Sequence, residues 1–276
     1  MKMRRTMFAY PYVVWMLIFI LAPVLMIAYY AFTSDGTFTL ENLTGALTNE
    51  MYMQVLLRSI WIALKATVIC LVLGYPIAYL LSKMRKGTAS LLSVLFIVPM
   101  WMNFLLRTYA WMSLLEDNGL INNMLAAVGL PRIHMINTAG AVVLGMVYNY
   151  IPYMILPIYS VLTKIDNSVI EAAQDLGANN RNVFLKVVLP MSMPGVISGV
   201  TMVFVPAVST FIISKMLGGG GNLLIGDLID MQFLGSAYNP NLGSAISLVL
   251  MVIILICMGI MNQFDDGENV GGGMIL

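Results

Sequence analysis

Few groups in this sequence are equipped to do chemistry. The 276 residues carry 13 Asp and Glu, 14 Lys and Arg, a single His and two Cys. No HExxH pair occurs and no carboxylates face one another within the apolar runs, so neither a metal hydrolase nor a nucleophile–base enzyme is indicated. The phosphate-binding pattern GxxxxGK[ST] is also absent, and the Gly218–Gly221 run continues into Asn222. The chain is therefore not itself expected to hydrolyse ATP. His134 stands alone, and Cys70 and Cys257 fall inside long apolar runs, so neither a metal site nor a disulfide is expected. What remains is polar and aromatic groups embedded in apolar sequence. Such polar groups are costly in hydrocarbon and mark functional candidates, and aromatic faces attract ammonium groups. Trp101, Asn103, Arg107, Tyr148, Asn149 and Tyr153 form the candidate substrate path, with Tyr109, Trp111 and Tyr150 nearby in sequence. Each has a second reading. The aromatic residues also suit an interface belt or simple packing. Asn103 and Arg107, four apart on one helix face, either line a water-filled path or lock their helix to a neighbour. Arg107 is a cation inside these runs, and they contain no carboxylate.

The elements that must position these groups are membrane helices. The chain is 60 % apolar and 10 % charged, whereas a soluble domain is about 45–50 % apolar and about 25 % charged. A net charge of +1 gives no basic excess for nucleic acid. Uninterrupted charge-free stretches run over Thr6–Ser34, Ala66–Ser82, Gly87–Leu106, Met135–Thr163, Val187–Ser214 and Met231–Phe264. Crossing the hydrocarbon core takes about 20 mostly apolar residues. Extending the second run back across Lys65 gives six spans, at 12–32, 59–81, 89–113, 138–161, 191–214 and 243–263. The runs lack the alternation of barrel strands, so the fold class is an all-α polytopic membrane protein. Pro76, Pro99, Pro152, Pro157, Pro194 and Pro206 fall in four of the spans, with Pro206 the best candidate for a functional kink. The 24 methionines suit adaptable packing between helices.

Cations set the orientation. Lys2, Arg4, Arg5, Lys83, Arg85, Lys86, Lys164, Arg181 and Lys186 are nine of the 14, and all lie on alternate connections. The opposite connections carry Arg132, Lys215 at a span edge, and acids including Asp35, Glu116, Asp117, Asp227 and Asp230. Both termini are therefore expected on the cytoplasmic side. The acidic outer loops would either steer cations inward or simply reflect the positive-inside bias. Arg58 and Lys65, toward the outer end of span 2, are expected to snorkel or pair there. The first run is too long for a signal-peptide core and lacks a convincing cleavage site, so residues 12–32 are expected to stay as a helix after a cytoplasmic stretch 1–11. Residues 264–276 read as a flexible cytoplasmic tail, acidic at Asp265, Asp266 and Glu268 and glycine-rich at Gly271–Gly273.

The long connection 163–190 has internal structure that mere joining would not need. Ser168 and Glu171 have the S-x-x-E spacing of a capping box, and Val169, Ala172, Ala173 and Leu176 recur on one helical face. Gly177 stands where a left-handed terminator is wanted. A second short helix carries Val183, Phe184, Val187 and Val188, closed by Pro190. Two amphipathic half-helices pack either on their own spans or on a soluble partner.

The residues Glu171-Ala172-Ala173, Asp175-Leu176-Gly177 and Leu189-Pro190 resemble the EAA loop of type I ABC-importer permeases (the MetI-like fold), in which it also lies between spans 4 and 5. Leu71–Pro76, Ile97-Val98-Pro99, Gly219–Gly226 and Gln232-Phe233-Leu234 extend the resemblance, most closely to spermidine/putrescine permeases of the B type. The acidic, glycine-rich end departs from that pattern. The resemblance implies a permease core over 55–263 whose loop, through Glu171, Ala172, Ala173, Asp175, Leu176, Gly177, Leu189 and Pro190, couples to a cytoplasmic ATP-binding subunit dimer. It also implies a second homologous permease, an extracytoplasmic polyamine-binding protein, and a home in the bacterial cytoplasmic membrane. No cofactor is then expected on this chain, ATP and Mg being held by the ATPase. A passive channel would need no coupling loop.

Overall fold

The computed structural model describes residues 10–34, 36–235 and 237–269. Lys2, Arg4, Arg5, Asp35 and Gly271–Gly273 lie outside the described residues, as do the side chains of Asp265, Asp266 and Glu268. The elements are α1 (Tyr10–Ala31), a hairpin of β1 (Thr33–Ser34) and β2 (Thr37–Phe38), α2 (Glu41–Thr48), α3 (Glu50–Lys83), α4 (Lys86–Trp101), α5 (Phe104–Leu115) and α6 (Leu120–Ala127). Then come α7 (Ala139–Leu162), α8 (Asn167–Asp175), α9 (Asn180–Met191), α10 (Met193–Ser209), α11 (Ile212–Leu217), α12 (Ile225–Leu234) and α13 (Pro240–Asn269). Among the described residues, α1, α3, α7 and α13 are each long and apolar enough to cross a membrane. Two bent pairs raise the number to six if each pair is one span.

Contacts divide the chain into residues 1–56 with 228–255, and 57–227 with 256–276. In the first unit, α1 is apolar on every side, and of its residues only Ala31 is buried. Pro23 offers no amide to the Phe19 carbonyl, and the helix accommodates it with a π-turn over Leu17–Leu21, where the Ala22 N–H reaches the Leu17 carbonyl. The hairpin pairs Thr33 with Phe38 and Ser34 with Thr37, and Phe38 stacks on Phe32.

In the second unit α7 is the central strut. Its Val142, Met146, Met154, Ile155 and Ile158 are fully buried. Gly195 and Gly199 of α10, four apart, let that helix approach closely. A Cβ on Gly195 would stand 2.9 Å from the Pro157 carbonyl oxygen, and one on Gly199 2.9 Å from the Met154 sulfur. Gly145 of α7 gives the same room to Ile213 and Leu217 of α11, and Gly74 of α3 to Met154.

The expected spans at 59–81 and 243–263 fall within α3 and α13, and those at 12–32 and 138–161 match α1 and α7 to within two residues at each end, with α3 starting nine residues earlier than expected. Two expected spans are not single helices. The 89–113 run breaks between α4 and α5, and the segment Phe104–Ala127 departs at 90° from α4. Met102 and Asn103 are extended there, and the Asn103 carboxamide oxygen accepts the Leu105 and Leu106 amides at 2.8 and 3.4 Å. An Asn able to cap its own successor competes with helix continuation. The 191–214 run stops at Ser209 and resumes as α11. Pro206 thus lies inside α10, and the break falls at Thr210, whose backbone is extended. The Pro206 carbonyl, deprived of a helical donor at Thr210, accepts instead from the Tyr150 hydroxyl at 3.4 Å.

Gly195→Leu is expected to drive α10 off the α7 backbone and lower the thermal unfolding midpoint in detergent by an overpacking cost of about 1–3 kcal/mol. Gly220→Ala, where a Cβ meets nothing within 4 Å, is expected to leave the midpoint unchanged.

Candidate functional site

The 163–190 connection folds into α8 and α9, joined at a sharp turn. The α8 cap is Asp166, not the expected Ser168–Glu171 box. Its Oδ1 accepts the Ser168 amide at 3.0 Å, placing Ser168 inside the helix. A carboxylate two residues ahead reaches the orphan donor first. The hydrogen bond holds the exposed Asp166 carboxyl below the ordinary carboxylate range. At the other end Gly177 adopts φ +83. Its amide donates to the Gln174 carbonyl at 2.8 Å, and the Ala178 amide to the Ala173 carbonyl at 3.1 Å. These two bonds form a Schellman turn that needs a left-handed residue.

The faces of α8 are distributed unusually. Ile170 and Ala173 turn partly inward, and no α8 residue is buried. Val169, Glu171, Ala172, Gln174 and Asp175 are exposed, and Leu176, just past the helix, is 89 % exposed. Of the face expected from Val169, Ala172, Ala173 and Leu176, only Ala173 turns partly inward, and the other three are exposed.

What does bind the connection to the bundle is α9. Phe184 meets the rings of Tyr75 and Tyr79 of α3 edge-on, with centroids at 5.9 and 5.3 Å. Val183 and Val188 are buried. The helix does not end at Pro190 as expected but continues to Met191 through a π-turn over Phe184–Val188, in which the Leu189 amide reaches the Phe184 carbonyl. The wider turn accommodates the missing Pro190 amide. Half-buried Leu189 and exposed Pro190 thus stand one turn before a 60° bend into α10. Ser192 marks the bend. Fully buried, its hydroxyl donates to the Leu189 carbonyl at 2.9 Å and lies 2.8 Å from the Tyr75 hydroxyl.

The six candidate path residues are dispersed. Trp101 is exposed at the end of α4, and Asn103 caps α5 rather than sharing a helix face with Arg107. Arg107 is buried, its guanidinium carbon 5.9 Å from the Phe104 ring centroid. Asn149 is buried and donates to the Gly145 carbonyl at 2.8 Å. Tyr148 and Tyr153 are partly exposed on α7. Tyr148 lies edge-on to Trp111 with centroids 5.2 Å apart, and Tyr153 lies 6.5 Å from Tyr150. A buried acid was missed, since Asp227, read as an outer-loop residue, is 4 % exposed and accepts the Leu224 amide at 2.8 Å.

The glycine-rich segment 218–226 is pinned rather than loose. Arg58 donates to the Gly221 carbonyl at 2.8 Å, the Ile225 amide donates to the Ser59 hydroxyl at 2.7 Å, and Asn222 donates to the Asn137 and Gly218 carbonyls. Lys65 stands 5.1 Å over the Trp61 ring. Asp117 and His134 pair at 2.8 Å, both well exposed.

A two-helix handle on an apolar helical bundle, at the junction of α7 and α10, is the architecture of a transporter's membrane subunit. Residues 70–267 match the model of the family of binding-protein-dependent transport system inner membrane components, and the chain belongs to that family. It is a multi-pass membrane subunit of a transport system and not an enzyme. The chain is 41 % identical to the spermidine/putrescine transport system permease protein PotB of Haemophilus influenzae, over 87 % of this chain and 86 % of that one. Against PotB of Escherichia coli K12 it is 40 % identical over 87 % and 90 %. Its fold is similar to a subunit of a bacterial ABC transporter that imports alginate, with a TM-score of 0.76 at 16 % identity, covering 95 % of this chain and 96 % of that one.

The Asp166 cap gives a pH dependence with a defined sign. Because its folded-state value is depressed, the cap stabilises the first turn of α8 at neutral pH and is lost as pH falls through that depressed value. Hydrogen exchange of the Ser168 amide, corrected for intrinsic rates, is expected to lose protection at acid pH, and Asp166→Ala to lose it at every pH.

Proposed function

We propose that this chain is one transmembrane half of an ATP-driven polyamine importer, and that α8 is the surface by which a cytoplasmic ATP-binding subunit moves it. The observation that carries the reading is the outward presentation of Glu171, Ala172 and Leu176 on a helix whose successor is clasped to α3 by Phe184. Leu176 at 89 % exposure is a poor residue to leave in water, and small Ala172 allows a partner's groove to approach closely. Closure of an ATPase dimer on α8 would pull directly on α7 and α10, which flank the connection and pack on each other through Gly195 and Gly199. Rigid-body rocking of the bundle then opens a path to alternate sides. Asp175 shares the exposed face with Glu171, while Leu189 and Pro190 stand at the bend.

The remaining parts of the assembly follow from the same reading. A second homologous permease closes the path, an extracytoplasmic binding protein delivers the cargo, and ATP and Mg stay on the ATPase, with no cofactor on this chain. The protein resides in the bacterial cytoplasmic membrane with both termini cytoplasmic, as the distribution of its cations favours. Spermidine or putrescine as cargo is supported by about 40 % identity to two permeases named for them. Along the path, Trp101, Tyr148 and Tyr153 offer aromatic faces to ammonium groups, and Asn103, Asn149 and Arg107 supply polar groups.

The test is reconstitution of the whole complex in proteoliposomes. Putrescine or spermidine, delivered by the binding protein, is expected to stimulate ATP hydrolysis and uptake. Stimulation by another solute alone would reject the cargo assignment. Gly177→Val is expected to abolish uptake in chain that still inserts, because its φ of +83 strains a β-branched residue by about 1–2 kcal/mol. Gly177→Asn is expected to retain uptake. Full uptake in Gly177→Val would count against the docking role.

A further inference from the structure

A cavity of about 350 Å³ opens between the end of α3, the first turn of α4, the end of α7 and the inner side of α8. Its polar wall consists of Ser82, Lys83, Lys86, Tyr159, Thr163 and Asn167. The lining contains two cations and several hydroxyls but no carboxylate. Asp166, beside Asn167 in sequence, is exposed and commits its Oδ1 to the Ser168 amide. Lys83 is positioned by the Tyr79 ring, its Nζ 5.7 Å from the centroid. The first turn of α4 also begins here, and its N-cap residue Arg85 makes no side-chain capping bond. The opening amides of a helix have no intrahelical partner, and Lys86 at the start of this 16-residue helix lines the cavity. The rest of the lining includes Leu162, Ile170 and Val188, so a cationic rim sits over an apolar base.

We propose that this cavity binds a phosphate-bearing anion, the headgroup of an anionic phospholipid or free phosphate. The anion sits between the Lys83 and Lys86 ammonium groups at the first turn of α4, and Ser82, Thr163 and Tyr159 donate to its remaining oxygens. Because Asn167 and Ile170 belong to α8, the occupant braces that helix against the ends of α3 and α4. The inference does not depend on which cargo is carried or on which subunit docks.

The test uses the full chain in a neutral detergent and native mass spectrometry, with phosphatidylglycerol and phosphatidylcholine at equal concentration. Phosphatidylglycerol is expected to be retained in preference. Retention is expected to fall about fivefold for each of Lys83→Gln and Lys86→Gln, as one basic residue at an anionic lipid surface is worth. Arg181→Gln removes a cation of the 163–190 connection that does not line the cavity, and it is expected to change nothing. Displacement of the lipid by millimolar inorganic phosphate would show that the phosphate group alone suffices. Survival of the lipid under that competition would show that its hydrocarbon contributes. An unchanged preference in the Lys83→Gln/Lys86→Gln double variant overturns the proposal, as does an equal loss in Arg181→Gln.

Discussion

Inside hydrocarbon no water stands ready to satisfy a broken helix, so every interruption must be met by a side chain of the bundle itself. This constraint accounts for the placement of several polar groups. Asn103 takes the first amides of α5 where α4 stops. Tyr150 takes the Pro206 carbonyl released by the break at Thr210. Ser192 takes the Leu189 carbonyl at the bend between α9 and α10, and the Tyr75 hydroxyl meets Ser192 from α3. Two of these repairs cross between helices, Tyr150 of α7 to Pro206 of α10 and Tyr75 of α3 to Ser192, and tie those breaks to a neighbour.

The same constraint explains why a push on α8 would not be dissipated. The 60° bend after Met191 is stitched by Ser192 and Tyr75, and Phe184 holds α9 to two α3 rings. Aromatic pairs of this kind contribute about 0.5–1.5 kcal/mol each beyond burial. Downstream, the glycine contacts of α10 on α7 leave almost no slack, since a single added Cβ would meet backbone atoms at 2.9–3.0 Å. On the proposed reading, a force applied at α8 would reach α7 and α10 through these joints.

Much of this was readable from residue types. Long charge-free runs located the crossings because burial in lipid demands apolarity over a whole helix, and Gly177 announced its turn because few other residues adopt its φ. The breaks were not readable in the same way. Apolarity is blind to whether a run is one helix or two, and the deciding residues, Asn103 and Thr210, also occur inside unbroken membrane helices. The Asp166 cap was obscured by a plausible Ser–Glu pair two residues later, although an Asp ahead of Asn-Ser was itself a signal. Asp227 looked like loop acid because it lies between two long charge-free runs; only the fold brings the segment 218–226 against Arg58 and Ser59 and buries the carboxylate. The path candidates fared unevenly for a related reason. Arg107 and Asn149 are buried while Trp101 stands exposed, and sequence spacing does not distinguish a lumen from a lipid face.

The measurement bearing most directly on the central claim is site-specific crosslinking in the assembled complex. A photoreactive residue in place of Leu176 is expected to capture the ATP-binding subunit, with a yield that changes between nucleotide-free and ATP-trapped states, while the same probe at Trp101 captures none of it. Capture of lipid alone at Leu176, or a yield indifferent to nucleotide, would contradict the account.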